Sequence, residues 1–142
     1  MKKKDSRFFQ LAEKQAKLST FHDGQLGCVV VHKNKIICEG HNSSKTHPLQ
    51  KIYNEGYRCN NNENDYWSLH SLHAEMSCLI EAEKILTKED FSKASLYVCR
   101  IRKITPYGLA RPCPACMKRI KELGIKHIYY TTNDGFAEEE IA

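Results

Sequence analysis

The hydrophobic and polar positions of the chain follow two periods, one typical of helices and one typical of strands. Apolar residues recur every three or four positions after Ser6, which predicts a helix over residues 6–18. The β-branched run at 26–32 predicts a strand. A short polar turn then leads into a second strand at 36–39, so the two strands should form an antiparallel hairpin.

The second half of the chain repeats these patterns. They predict a well-buried helix, a third strand, a helix that ends near Gly124 and a fourth strand, at residues 73–86, 95–101, 113–123 and 128–132. The predicted order is α-β-β-α-β-α-β. This order indicates an α/β protein in which helices pack on a mixed sheet.

Residues 43–70 show neither period. They are rich in Asn, Ser, Lys and Tyr, and the stretch 60–65 is polar enough to be an exposed tip. A loop of this length in a compact domain is usually functional or partly disordered. No linker or repeat interrupts the rest of the sequence, so we expect one domain over residues 1–142.

Composition narrows the class of protein. Hydrophobic residues make up 41% and charged residues 27%, which is typical of a globular protein. No apolar run approaches the roughly 20 residues of a membrane helix. The basic N-terminus leads into a mixed segment rather than a secretory signal, so a cytoplasmic location is expected. The net charge of +5 mildly favours anionic partners such as phosphates or nucleic acid, although a solvated, lysine-rich surface is the simpler interpretation.

The seven cysteines suggest metal binding more than disulfides, because thiols stay reduced in the cytosol. Four of them lie among apolar neighbours and should be core residues: Cys28, Cys38, Cys78 and Cys99. Cys113 and Cys116 are different, since they lie three positions apart at a predicted helix start and can converge on one ion.

A histidine and a glutamate complete the predicted zinc site. His73 begins the preceding helix, and Glu75 follows two residues later. One imidazole and two thiolates leave a zinc ion one open position, as catalytic zinc sites do. Each short motif alone is weak, but the two in this order, with a strand between them, predict one catalytic Zn²⁺ per chain. Glu75 would then move protons.

Two segments of the chain resemble the signature of the zinc-dependent cytidine deaminase superfamily: His73-Ala74-Glu75 and Pro112-Cys113-Pro114-Ala115-Cys116. The resemblance covers residues 24–133. It implies a three-layer fold with helices on both faces of a mixed central sheet. It also implies zinc ligation by His73, Cys113 and Cys116, proton transfer by Glu75, and hydrolytic attack on C4 of a cytosine or C6 of an adenine with release of ammonia.

Within the superfamily, the deoxycytidylate branch is the most similar. Gly40-His41-Asn42 looks like the Gly-x-Asn of deoxycytidylate and tRNA adenosine deaminases, which implies that Asn42 binds substrate; a simple turn asparagine is the alternative. Ala74 and Arg111 are the other substrate-binding candidates; Arg111 could meet a phosphate, with a solvated loop residue as the alternative. Ser77 departs from the branch, which usually has asparagine there.

The end of the sequence departs from the family pattern as well. Only residues 136–142 follow the last turn, so the usual further helix and fifth strand should be largely missing. This shortened C-terminus would leave a sheet edge for a partner subunit to cover, and we therefore expect a homo-oligomer, a dimer or larger.

Loop residues supply weaker candidates. Lys45 or His47 could meet a phosphate, with a solvated loop residue as the alternative. Trp67 and Tyr107 could stack on a base or else only hold their loops. His70 could compete as a zinc ligand, although a surface or supporting role is the simpler interpretation. A second, structural zinc held by Cys59 and His70 is a further alternative.

Three functions are consistent with these residues. The first is a deaminase of a small cytosine nucleotide or nucleoside, with dCMP as the leading substrate. The second is a deaminase that acts on a base within nucleic acid, in single-stranded DNA or a tRNA loop. The third is a non-catalytic, zinc-stabilised interaction module, which predicts a fourth protein ligand.

Overall fold

The computed structural model describes residues 3–20, 24–45, 47–57, 71–103 and 107–141, and these form five helices and six strands. The helices are α1 (Lys3–Leu18), α2 (Pro48–Tyr57), α3 (Ala74–Ala82), α4 (Lys88–Ser92) and α5 (Pro114–Leu123). The strands are β1 (Gln25–His32), β2 (Lys35–His41), β3 (Ala94–Ile101), β4 (Tyr107–Gly108), β5 (His127–Thr131) and β6 (Phe136–Glu140).

The strands form one mixed sheet in the order β2-β1-β3-β5-β6, with β4 paired to the end of β3. β1 is antiparallel to both β2 and β3, whereas β3 and β5 are parallel. The predicted hairpin is confirmed. Its turn places Lys33 and Asn34 at φ angles of 53° and 62°, the left-handed conformation that tight two-residue hairpin turns require.

Helices cover both faces of the sheet, as predicted. Alternate residues of β1 and β3 point to opposite sides. On one side they meet α1, in a cluster that contains Phe8, Phe9, Ala12, Val29, Val31, Tyr97 and Cys99. On the other side they meet α3 and α5, in a cluster that contains Val30, Leu79, Leu96, Val98, Met117, Ile120 and Ile128. All four cysteines predicted for the core are buried. None of the described helices could span a membrane.

Two helices were missed by the sequence analysis. The prediction that residues 43–70 lack regular structure was wrong for α2, which occupies part of that stretch. Pro48 is its first residue, a position where the missing N–H of proline costs nothing. The short α4 starts at a capping box in which Thr87 and Asp90 exchange side-chain hydrogen bonds with each other's backbone N–H.

A strand follows the last predicted turn, so the expectation that a further strand is largely missing was wrong, whereas the described residues 132–135 before it form no helix. β6 pairs antiparallel with β5 along Phe136–Glu140 and covers the edge that was expected to be open. Its own outer edge carries exposed Glu138 and Glu140, and charged side chains on an edge strand discourage further pairing. The outer edge of β5 is therefore not open for a partner subunit, and the homo-oligomeric state stays a prediction.

The packing of α1 on β1 leads to a prediction about stability. A Cβ atom at Gly27 would lie 2.0 Å from the carbonyl oxygen of Ala12 and 2.3 Å from the amide nitrogen of Ala16. Both are backbone atoms, so no rotamer change relieves the clash. We expect Gly27→Ala to lower the free energy of unfolding by about 3 kcal/mol or more. Urea unfolding followed by circular dichroism measures this change.

Gly56 provides the matched control, because it lies on α2 with open space around the position of a Cβ. Alanine favours a helix over glycine by about 1 kcal/mol, so Gly56→Ala should be neutral or stabilising. If Gly27→Ala unfolds at the same urea concentration as the parent protein, α1 does not pack on β1 as described.

Candidate metal centre and active site

The two predicted motifs lie at the starts of two helices that meet at the carboxyl end of the central strand β3. His73 is the N-cap residue of α3, and Cys113 is the N-cap residue of α5. α5 begins after the carboxyl end of β3, while the chain returns from α3 through α4 to the amino end of β3. The start of α3 consequently lies at the same end of β3 as the start of α5.

Three side chains converge there in a group that we call the ligand cluster: His73, Cys113 and Cys116. The His73 Nδ1 atom lies 3.5 Å from the Cys113 Sγ atom and 3.4 Å from the Cys116 Sγ atom. All of the potential ligand atoms lie within 4.8 Å of one another. Zn–N bonds of about 2.0–2.1 Å and Zn–S bonds of about 2.3 Å in a tetrahedral site separate N and S by about 3.5 Å. The ligand cluster therefore fits one zinc ion.

The surroundings favour the thiolate form that a metal requires. Hydrogen bonding from Cys116, together with bonding to the His73 ring, holds the pKa of Cys113 well below the usual value of a thiol, although burial opposes the shift. Cys116 is fully buried in the first turn of α5. The N–H groups at the start of a helix carry partial positive charge, which stabilises a thiolate nearby.

Glu75 borders the ligand cluster without belonging to it. It lies in the first turn of α3 and is 3% exposed. Burial is the main cause that raises the pKa of Glu75, while the nearby His73 opposes this shift and Cys113 adds to it. Among the described residues, the grouping of ligand atoms contains His73 and the two cysteines but not this carboxylate. The Glu75 carboxylate is thus a buried acidic group beside the ligand cluster and outside it.

Gln50, a residue of α2, touches the site and was not among the predicted site residues. Gln50 is fully buried, and its side-chain oxygen accepts a hydrogen bond of 3.0 Å from the backbone N–H of His73. The signal that could have found it is Pro48 followed by Leu49 and Tyr53 at helical spacing. The Asn- and Lys-rich neighbourhood obscured that pattern.

Asn42 lies where β2 ends, close to the start of α3. Gly40 makes this possible, because a Cβ atom there would be 2.9 Å from the amide nitrogen of Cys78 in α3. The Asn42 side-chain oxygen accepts hydrogen bonds from the Ser19 hydroxyl at 2.5 Å and from the Leu26 N–H at 3.0 Å. Its amide group donates to the Gly24 carbonyl at 2.8 Å. Asn42 thus holds the end of α1 and the start of β1 together.

Arg111 has a partner that the sequence did not suggest. Its guanidinium group donates two hydrogen bonds to the Glu139 carboxylate of β6, at 2.8 and 3.0 Å. The Tyr130 hydroxyl donates to the same carboxylate at 3.0 Å. The pair ties the residue just before the second motif to the last strand.

The weaker candidates lie apart from the ligand cluster or outside the described residues. Tyr107 packs with the α1-side cluster, where its ring centroid is 5.3 Å from that of Phe136, which favours its role in holding the loop. His47 accepts a hydrogen bond from the Leu49 N–H at the start of α2. Lys45 is exposed. The predictions made for Cys59, Trp67 and His70 lie outside the residues that the structure describes.

Known proteins similar to this chain point to one family. Residues 2–132 match the sequence model described as the cytidine and deoxycytidylate deaminase zinc-binding region. The deoxycytidylate deaminase of Saccharomyces cerevisiae is 31% identical over 139 residues, which are 95% of this chain and 39% of that protein. The deoxycytidylate deaminase of Schizosaccharomyces pombe is 31% identical over 134 residues, which are 91% and 37%. The chain thus spans about two fifths of the length of these curated relatives.

Solved structures share the fold. A dCMP deaminase from the cyanophage S-TIM5, in complex with dCMP and dUMP, aligns with a TM-score of 0.62 and 24% identity over 93% of this chain and 84% of that one. A cytidine deaminase from Burkholderia pseudomallei aligns with a TM-score of 0.63 and 14% identity over 99% and 93%. These alignments confirm the predicted three-layer fold. Because the zinc-binding region matches almost the whole sequence, the chain belongs to the cytidine and deoxycytidylate deaminase family.

Proposed function

We propose that this chain is a zinc-dependent hydrolytic deaminase that converts the cytosine of dCMP to uracil and releases ammonia. The observation that carries the proposal is the arrangement of four side chains. Three of them converge at zinc-ligand distances, and the buried carboxylate of Glu75 lies beside them without joining them. A structural zinc site has no use for such a carboxylate, since four protein ligands close it.

The roles of the residues follow from this arrangement. His73, Cys113 and Cys116 would hold the ion, which when bound lowers the pKa of a water molecule to about 7 and so makes a nucleophile available near neutral pH. Glu75 accepts a proton from the attacking water and delivers protons to ring N3 and then to the departing amino nitrogen. Water adds its oxygen to C4, the C4–N bond breaks, and ammonia leaves. The raised pKa of Glu75 suits a group that must both take and give a proton.

The choice of dCMP as substrate is supported by the two yeast relatives, both of which are named deoxycytidylate deaminases. The cyanophage protein of the same fold binds dCMP and dUMP in its crystal. A base within nucleic acid is the less favoured alternative. The substrate-binding roles of Asn42, Ala74 and Arg111 belong to this proposal. Asn42 would use the second hydrogen of its amide group, and Ala74, whose side chain is fully buried, would use its backbone.

A substrate screen of the purified, zinc-loaded protein tests the proposal. It compares ammonia release from dCMP, deoxycytidine, cytidine, single-stranded DNA and tRNA. We expect the highest kcat/KM with dCMP. Turnover on the polymers alone would contradict the substrate assignment, and ammonia release from none of the five would contradict the enzymatic function. A homo-oligomeric state and a cytoplasmic location stay predictions, which light scattering and cell fractionation can test.

The pairing of Arg111 with Glu139 gives a sharper prediction about the phosphate. If Arg111 binds the 5′-phosphate of dCMP, the Glu139 carboxylate lies close to that phosphate and repels it. Glu139→Gln removes the negative charge and should lower the KM for dCMP by about threefold, the size of a partly exposed charge interaction. The KM for deoxycytidine, which has no phosphate, should not change. Steady-state kinetics with both substrates provides the comparison.

Arg111→Ala is the complementary variant and should raise the KM for dCMP while leaving that for deoxycytidine unchanged. Equal changes for the two substrates in either variant would show that Arg111 only fastens the second motif to β6.

A further inference from the structure

The helix α2 lies against both elements that carry the ligand cluster. Its buried face is unusually polar, since Gln50 is 0% exposed and Asn54 is 3% exposed. A buried amide is unfavourable unless it forms hydrogen bonds. The hydrogen bonds of Gln50 therefore explain how its amide group can be buried.

Gln50 bridges the first metal motif and its own helix. Its side-chain oxygen accepts from the His73 N–H at 3.0 Å, and its amide nitrogen donates to the side-chain oxygen of Asn54 at 2.9 Å. A backbone N–H can only donate, so the amide atom that faces it must be the oxygen. The orientation of the Gln50 amide is fixed by its neighbours, and Asn54 keeps it from rotating.

The same helix also contacts the element that carries the two thiols. The Tyr53 hydroxyl donates to the Glu122 carboxylate of α5, and the Arg119 guanidinium of α5 lies 5.8 Å from the centre of the Tyr53 ring. Tyr53 shares a buried cluster with Ala115 and Cys116. Helix α2 thus contacts both the backbone of His73 and α5, the helix at whose start the two cysteines lie.

We infer that Gln50 is a positioning residue. By binding the backbone N–H of His73, it holds that residue where the His73 imidazole can reach the same ion as the two thiolates. This rests on the metal site of the proposed function. His73 is an N-cap residue whose side chain does not cap the helix, and N–H groups at a helix start lack intrahelical acceptors. Gln50 supplies the acceptor. Because a zinc site tolerates deviations of only about 0.2 Å, a shift of His73 weakens ion binding.

Gln50→Met tests the inference, since methionine keeps the length of the side chain and removes the acceptor. We expect zinc affinity, measured by competition with a chromogenic chelator, to fall about tenfold, as it does when other supporting contacts of metal ligands are removed. The visible absorption bands of the cobalt(II)-substituted protein should also shift. Asn54→Ala leaves Gln50 in place without its anchor and should cause a smaller loss of the same kind.

Thr131→Val is the matched control for the loss of a buried polar contact. Thr131 is 0% exposed, donates to the Gly108 carbonyl and accepts from the Arg100 N–H, and neither hydrogen bond involves a residue of the ligand cluster. It should lower stability without changing zinc affinity or the cobalt bands.

The outcomes separate this inference from the proposed function. If Gln50→Met binds zinc as tightly as Thr131→Val and shows unchanged cobalt bands, Gln50 is only a packing residue; where Gln50→Met does not fold, Asn54→Ala is judged in the same way. A tenfold loss in a protein that deaminates nothing supports the inference and overturns the proposed activity. A parent protein that binds no zinc overturns both.

Discussion

Glu75→Gln is expected to abolish deamination while the zinc content stays close to one ion per chain. The amide has the same shape as the carboxyl group and can still form hydrogen bonds, but it cannot accept a proton from water or deliver one to the base. General acid–base catalysis contributes roughly 10²–10⁴-fold, and Glu75 is proposed to act in both directions, so we expect a loss of kcat at the upper end, roughly 10³–10⁴-fold. Ammonia release and metal analysis of the same preparation provide the two measurements.

The structure offers a matched control on the same helix. Glu81 is exposed and pairs with Lys84 at 3.2 Å, away from the ligand cluster. Glu81→Gln removes one carboxylate from α3, as Glu75→Gln does, and should leave both activity and zinc content unchanged. If Glu75→Gln loses zinc together with activity, then Glu75 is a ligand and its assignment as proton carrier is wrong. Full activity in Glu75→Gln would remove the carboxylate from the chemistry altogether.

The parts of this fold that could be predicted from the sequence are those determined by residues close together in the chain. The β-branched run of β1 alternates onto two helix layers, and it was predicted within one residue of the observed start. Gly124 ends α5 at a φ of 100°, the left-handed conformation that glycine adopts easily. The ligand cluster was predictable for the same reason, because a three-residue spacing at a helix start fixes two of its ligands on one face.

The parts that could not be predicted depend on contacts between residues far apart in the sequence. β6 has the sequence Phe-Ala-Glu-Glu-Glu, in which only Phe136 favours a strand, and it forms because β5 offers an edge to pair with. The partner of Arg111 lies 28 positions further along the chain. The role of Gln50 depends on α2 lying across α3 and α5, which no spacing within residues 43–70 reveals. The proposed substrate contact of Arg111 involves such a distant partner, whereas the spacing of Cys113 and Cys116 is local.

Cys116→Ser is expected to release the metal and, with it, all turnover. Cys116 is 0% exposed and its sulfur lies 3.4 Å from the His73 Nδ1 atom. A serine hydroxyl has nearly the same shape, but it stays protonated at neutral pH and cannot replace a thiolate ligand. Removal of a mere supporting contact costs 10–100-fold in metal affinity, so the loss of a direct ligand should cost more than about 100-fold. Chelator competition at constant pH measures the zinc affinity.

The same exchange at Cys78 separates ligand loss from the general cost of changing a buried thiol. Cys78 is also 0% exposed and lies on α3, where its sulfur donates to the Cys38 carbonyl at 3.3 Å, a bond that a hydroxyl can keep. Cys78→Ser should therefore bind zinc as the parent does, even if its unfolding midpoint falls. Because Cys116 belongs to the ligand cluster and Cys78 does not, only the first variant should lose the ion. Equal zinc affinities in the two variants would show that a residue other than Cys116 completes the site.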